Sequence, residues 1–148
     1  MTEGTPFVYE SPMAKPTPAL LRNVPLFSDL DERDLESLAE EFNERRFSAG
    51  DKIALEGEGG LMFFVVESGE LSVEVHGEPV STMGAGAAFG EIALIDRRPR
   101  TATVTAASEV KAYGLPVFVF RPFVEARPQL AWKLLEAMAD RLAVAESR

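Results

Sequence analysis

From Arg46 to Tyr113 the chain never runs far before a turn interrupts it. Runs rich in Val, Phe and Ile occupy 53–55, 62–67, 70–75, 80–83, 102–105 and 110–113. Between them stand Ala49-Gly50-Asp51, Gly57-Glu58-Gly59-Gly60, Ser68-Gly69 and His76-Gly77. β-Branched and aromatic side chains suit a pleated, half-buried surface, and clusters of Gly with small polar residues end it. Several short strands at this close, regular spacing predict an antiparallel sandwich or roll. Within 70–75, Leu71, Val73 and Val75 alternate with Ser72 and Glu74, which puts one face in a core and the other in water. His76-Gly77 reads as the turn of a hairpin, with His76 exposed.

Helical patterns flank this stretch. Residues 18–45 read as helical, with Ser28 capping a short turn and Asp31 capping the helix after it. Leu35, Leu38, Ala39 and Phe42 form an apolar stripe, and Glu32, Glu36, Glu40 and Glu41 fall on the wet side. Toward the C-terminus, 117–125 follows Pro116, and Pro128 opens a longer helix to about residue 147. Its apolar residues are Leu130, Leu134, Leu135, Met138, Leu142 and Ala145, opposite Lys133, Glu136, Asp140 and Arg141. That stripe suits either a homodimer seam or packing against the roll, and Trp132 reads as a partly buried packing residue. Pro6, Pro12, Pro16 and Pro18 block helix and ladder alike, so 1–18 is expected to be a proline-rich mobile tail and 19–148 the domain. Phe7, Val8 and Tyr9 could dock on the body or tag the chain for a partner.

Composition removes several function classes. Acids outnumber bases 24 to 15, for a net charge of −9. That balance disfavours nucleic acid or an anionic membrane as partner, because both call for a basic face. The absence of Cys excludes disulfides, thiolate catalysis, iron–sulfur clusters and Cys-ligated zinc, and it fits a reducing compartment. With His76 the one histidine, no His-rich metal site and no Ser–His pair is expected. No run approaches the roughly 20 apolar residues of a membrane span. The first residues lack a basic region followed by an apolar one, so a cytoplasmic protein is expected. No nucleophile–base pair or motif of paired carboxylates suggests an enzyme.

Residues 84–104 break the strand pattern. The segment opens with Gly84 and Gly86 among alanines, passes Phe89 and Gly90 into a stretch (91–95) long enough for a turn or two of helix, and is stopped by Pro99. A Gly-rich approach to a short helix exposes backbone N–H groups that, with the helix dipole, attract an anion. Arg100 adds a guanidinium able to hold a phosphate through two hydrogen bonds. Glu91, in the first turn, is an acceptor suited to a sugar hydroxyl. Acceptor, donors and cation together match a phosphorylated sugar, while the same residues would equally make a capped surface turn with an ordinary exposed ion pair. Arg97 and Arg98 extend the basic patch, as solvated charges or as a field that steers an anion in.

Phe89–Ile95 (FGEIALI), four further residues to Arg100, and then TATV resemble the phosphate-binding cassette of the cyclic nucleotide-binding domain family. Catabolite-activator-type regulators, cAMP-dependent kinase regulatory subunits and cyclic-nucleotide-gated channels belong to it. VPLFSDL from Val24, FSAGDKI from Phe47, Glu56-Gly57-Glu58 and the stretch 63–69 resemble the family's upstream pattern, so the likeness spans roughly 20–145. It implies a mainly β fold: a jelly-roll-like antiparallel β-roll with N-terminal helices and C-terminal lid helices. It also implies a cyclic mononucleotide, cAMP or cGMP, as ligand, with no metal and an unknown downstream protein as partner. Under it Glu91 accepts from the ribose 2′-OH and Arg100 pairs with the cyclic phosphate. Backbone N–H groups near Gly90, Ala93 and Thr101 complete the cradle that follows Phe89, and Ile92 and Val73 line the sugar and base. Arg141 falls where some channel members place a purine-contacting Arg, with Leu142, Val144 and Ala145 as candidate cap residues. Ala145 and Glu146 depart from the hydroxyl residues with which DNA-binding members reach adenine, Thr101 does not choose the base, and a DNA-binding domain is not expected. The alternative is an interaction or scaffold protein with a vestigial or repurposed pocket.

Overall fold

The computed structural model describes residues 14–59, 62–90, 94–95 and 99–146. Helix α1 (Pro18–Arg22) starts where Thr17 accepts the Leu20 N–H at 3.1 Å, with Pro18 in the first turn. The sequence boundary after residue 18 therefore falls inside a helix. The chain is attached even earlier, because Lys15 donates to the carbonyls of Glu40 and Phe42, each at 2.9 Å. A 3-10 turn comes next (Pro25–Phe27). Ser28, expected to open a turn, instead closes this one by donating to the Pro25 carbonyl at 2.9 Å. Asp31 does cap α2 (Glu32–Ala39), accepting from the Asp34 N–H at 2.9 Å.

The helical reading of 18–45 ends too late. Residues Asn43–Phe47 are strand β1, paired antiparallel with β8. Arg45 and Arg46 look like a solvated helix face because β1 is an edge strand, where charge guards the open ladder. The remaining strands are β2 (Lys52–Ala54), β3 (Met62–Ser68), β4 (Leu71–Val75), β5 (Glu78–Met83), β6 (Ala88–Phe89), β7 (Thr103–Ala106) and β8 (Val110–Pro116). They form two four-stranded antiparallel sheets, β1-β8-β3-β6 and β2-β7-β4-β5. The expected β-roll with flanking helices is the fold observed.

Strand β3 explains why its sequence is apolar without alternation. Phe63 and Val65 point to one core and Phe64 and Val66 to another. A strand covered on both faces reads as a continuous apolar run. The first core joins the outer face of this sheet to the helices. Phe27 and Phe42 meet Phe63 edge-on, with centroids 5.8 and 6.1 Å apart. Full burial of each ring is worth roughly 1.5–3 kcal/mol. The second core lies between the sheets, around Phe64, Val66, Leu71, Val104 and Ala112.

The β4–β5 hairpin turns on His76 and Gly77, as expected. His76 is exposed, yet its Nδ1 lies 3.2 Å from Glu56 Oε2 and its N–H donates to Glu56 Oε1 at 2.8 Å. Helices α3 (Val117–Glu125) and α4 (Pro128–Glu146) close the chain. On α4 only part of the expected stripe is covered: Leu130, Leu134 and Ala137 are buried, whereas Leu135, Met138 and Leu142 are exposed. Trp132, read as a packing residue, is 64% exposed, because two residues beyond Leu130 is about 200° round the helix. Among the described residues no helix is long and apolar enough to cross a membrane.

Candidate functional site

Arg100 is held by its backbone before its side chain does anything. Its N–H donates to the Glu58 carbonyl and its own carbonyl accepts from the Gly57 N–H, both at 2.8 Å. Pro99 bridges Gly59 beside them. The turn after β2 thus grips the chain just before it enters β7. From this anchor the guanidinium reaches inward, and Nη2 donates to the Met62 carbonyl. It opens on a cleft of about 270 Å³ whose lining includes Ile53, Leu55, Glu58, Met62 and Phe64. Desolvation pulls the Arg100 pKa below the ordinary value, but a guanidinium remains a cation at neutral pH. Among the described residues no carboxylate forms an ion pair with it. The group is therefore a half-buried positive charge facing a small, largely apolar cleft.

Gly90 lies directly against this charge. Its φ of +88° is left-handed, and a Cβ placed on it would overlap Arg100 Nη1 and stand 2.9 Å from the Met62 carbonyl oxygen. Phe89, on β6, pairs with Phe64 of β3, and the two rings are 5.3 Å apart. Phe89, Gly90 and Arg100 therefore gather around Met62 and Phe64. Val73 stands on β4 opposite Ser81 and Val104, partly buried against the core that also holds Phe64. Thr101 is exposed just after Arg100. Glu91, Ile92 and Ala93, with Arg97 and Arg98, lie outside the described residues. Beyond them Leu94 is buried in the helical core and Ile95 is exposed.

Arg141 is not in this group. It lines a separate cleft of about 390 Å³ with Pro25, Asp140, Val144 and Ala145, where α4 passes the 3-10 turn. In this conformation α4 packs on α3 and that turn. Lys133 ties it to α2, with Nζ 3.5 Å from Asp34 Oδ2 and 3.6 Å from Asp31 Oδ2. Among the described residues no cluster of His, Asp and Glu could hold a metal ion.

Two parts of the site escape sequence reading. The Met62 carbonyl that accepts from Arg100 is a backbone atom, so no residue type announces it. Gly57-Glu58-Gly59 reads as a strand break, and only the pairing register makes it the clamp on Arg100.

The model of a family described as the cyclic nucleotide-binding domain matches residues 44–127, more than half of the chain. The chain belongs to the cyclic nucleotide-binding domain family. It is 41% identical over 99 residues to the cAMP-dependent protein kinase regulatory subunit of Emericella nidulans, covering 66% of this chain and 24% of that protein. To the corresponding subunit of Yarrowia lipolytica it is 36% identical over 96 residues, covering 65% and 26%. The chain thus spans about a quarter of the length of these curated relatives. Among solved structures, the N-terminal domain of a transcriptional regulator from Streptomyces coelicolor A3(2) superposes with a TM-score of 0.81 at 32% identity, over 86% of this chain and 95% of that one. The regulatory domain of Toxoplasma gondii PKA, co-crystallised with cAMP, gives 0.66 at 31% identity, over 82% and 46%.

Proposed function

We propose that the domain is a non-catalytic sensor of a 3′,5′-cyclic mononucleotide, cAMP first and cGMP second. The observation that carries this reading is Arg100: a half-buried guanidinium, anchored through its backbone, facing a cleft inside the matched segment. Its fork suits two phosphate oxygens. Glu91 takes the ribose 2′-OH, the N–H groups of Gly90, Ala93 and Thr101 complete the cradle, and Ile92 and Val73 face sugar and base. The regulatory domain of Toxoplasma gondii PKA, 31% identical, carries cAMP, which supports the choice of base.

Ligand binding shifts a population rather than building a new state. In this reading α4 leaves the N-terminal helices and closes over the base, which would carry Arg141 from its cleft beside Pro25 toward the purine. The closed form then signals to a protein partner in the cytoplasm. The exposed apolar residues Leu135, Met138 and Leu142 of α4 suit pairing with a second copy.

A second reading, a scaffold with a closed or repurposed pocket, is favoured by one observation. The cleft of about 270 Å³ is smaller than most ligand sites, roughly 300–1,000 Å³, and Arg100 already has an acceptor in Met62. Titration calorimetry with cAMP and with cGMP separates the two. Micromolar binding that weakens by about a hundredfold or more in Arg100→Ala, with little change in melting temperature, supports the sensor. No heat from either nucleotide at millimolar concentration supports the scaffold.

A further inference from the structure

Helix α4 is held against the body by a short seam. Leu130, Leu134 and Ala137 are its buried residues, and from 138 to 146 every residue is exposed. Within that seam Lys133, its side chain 34% exposed, reaches two carboxylates at once, Asp34 at 3.5 Å and Asp31 at 3.6 Å. Both stand at the start of α2, where the helix N-terminus favours negative charge. Asp31 has a pKa below its ordinary value, chiefly because it accepts the Asp34 N–H, with Lys133 adding to the effect. The two contacts join the last helix to the first helical layer, with Lys133 and Asp34 separated by 99 residues of sequence.

We infer that Lys133, gripped by Asp31 and Asp34, holds α4 in a docked position that competes with its closure over the nucleotide. The inference rests on the reading of α4 as the lid. Docking and closure are alternatives for one helix, so whatever stabilises the docked form lowers the binding-competent fraction. Apparent affinity falls in proportion to that fraction. Ion pairs this exposed are individually weak, so the lever is modest: loss of both contacts should tighten binding by about two- to fivefold. The direction is diagnostic. A substitution that merely loosened the fold would weaken binding, and this one strengthens it.

The test is calorimetric titration of cAMP into wild type, Lys133→Met and the double variant Asp31→Asn with Asp34→Asn, paired with hydrogen exchange of α4 in the ligand-free proteins. Met keeps the apolar stem of the lysine, and Asn keeps the cap of α2. Both variants are expected to bind more tightly than wild type and to exchange α4 amides faster. The differences from wild type should narrow as added salt screens the pairs. Equal or weaker affinity in the variants, beside a wild type that binds, overturns the inference. A wild type that binds no cAMP overturns the sensor reading instead. In that case unchanged α4 exchange in both variants overturns the docking role, and faster exchange supports it.

Discussion

Gly90 and Arg100 share one space: the position a Cβ would take on Gly90 is filled by the Arg100 guanidinium. The glycine also has a φ of +88°, so both its backbone and its missing side chain are used. Gly90→Ala is expected to cost about 1–3 kcal/mol of stability from the left-handed backbone. The new methyl also meets the Met62 carbonyl, which cannot swing away as a side chain can. Arg100 must then leave its place. Loss of one charge-assisted hydrogen bond, roughly 1.5–3 kcal/mol, should weaken cAMP binding about ten- to a hundredfold. Urea unfolding and calorimetry on the same preparation read the two effects separately.

Charge alone should not replace Arg100. Lysine offers a compact ammonium without the planar fork that fits two oxygens at once. Arg100→Lys is therefore expected to bind cAMP more weakly than wild type and more tightly than Arg100→Ala. Unfolding free energy should change by less than about 1 kcal/mol, since an exposed or half-exposed cation contributes little to the fold. A lysine variant with wild-type affinity would show that the site needs only a positive charge.

The parts of this fold that were legible in the sequence are those in which residue type and position carry the same information. Pro116 and Pro128 punctuate α3 and α4, and the FFVV run of β3 could only be a buried strand or a buried helix. Phe89, Gly90 and Arg100, which the fold gathers around Met62 and Phe64, stood out because Gly and Arg do things other residues cannot. Strand β1 was hidden by its charges. Glu44 looks solvated, but its side chain is 5% exposed and accepts from Arg46 Nε at 2.6 Å. The backbone clamp on Arg100 and its Met62 acceptor were hidden for a different reason: carbonyls and N–H groups are the same in every residue, and only the register places them.

Gly69 provides a contrast with Gly90 in a turn away from the cleft. Its φ is +103°, and a Cβ there would overlap the Glu109 carbonyl, with Val110 Cα at 2.8 Å and Val110 Cγ2 at 2.9 Å. The obstacles are mostly backbone, so relaxation is difficult. Gly69→Ala is expected to lose roughly 1–3 kcal/mol to backbone strain and a similar amount to overpacking. Affinity for cAMP per folded molecule should not change. Chemical denaturation with parallel calorimetry checks both halves, and a variant that loses affinity while staying folded would place this turn in the binding path.

Tyr113 should leave a signature at alkaline pH. Its ring sits in the helical core while its hydroxyl donates to Glu67 Oε1 at 2.5 Å, and Lys111 Nζ lies 3.4 Å from the other Glu67 oxygen. Burial, and then the bond to Glu67, raise the phenol pKa above its ordinary value of 10.0. The folded state thus favours the neutral phenol. Its contribution is fully present below about pH 10, where both states keep the proton. Above that pH the unfolded chain ionises first, so stability falls as pH rises toward the folded-state value. Tyr113→Phe cannot ionise. The variant is expected to be less stable than wild type by about 1 kcal/mol at pH 8, for the lost hydrogen bond. That gap should shrink as pH passes 10, because wild type alone pays for holding a neutral phenol. Urea unfolding of both proteins at pH 8, 10 and 11 measures it, and lysine titration, common to the two, cancels in the difference. A gap that stays constant over this range would mean that the hydroxyl titrates as freely in the folded protein as in the unfolded chain.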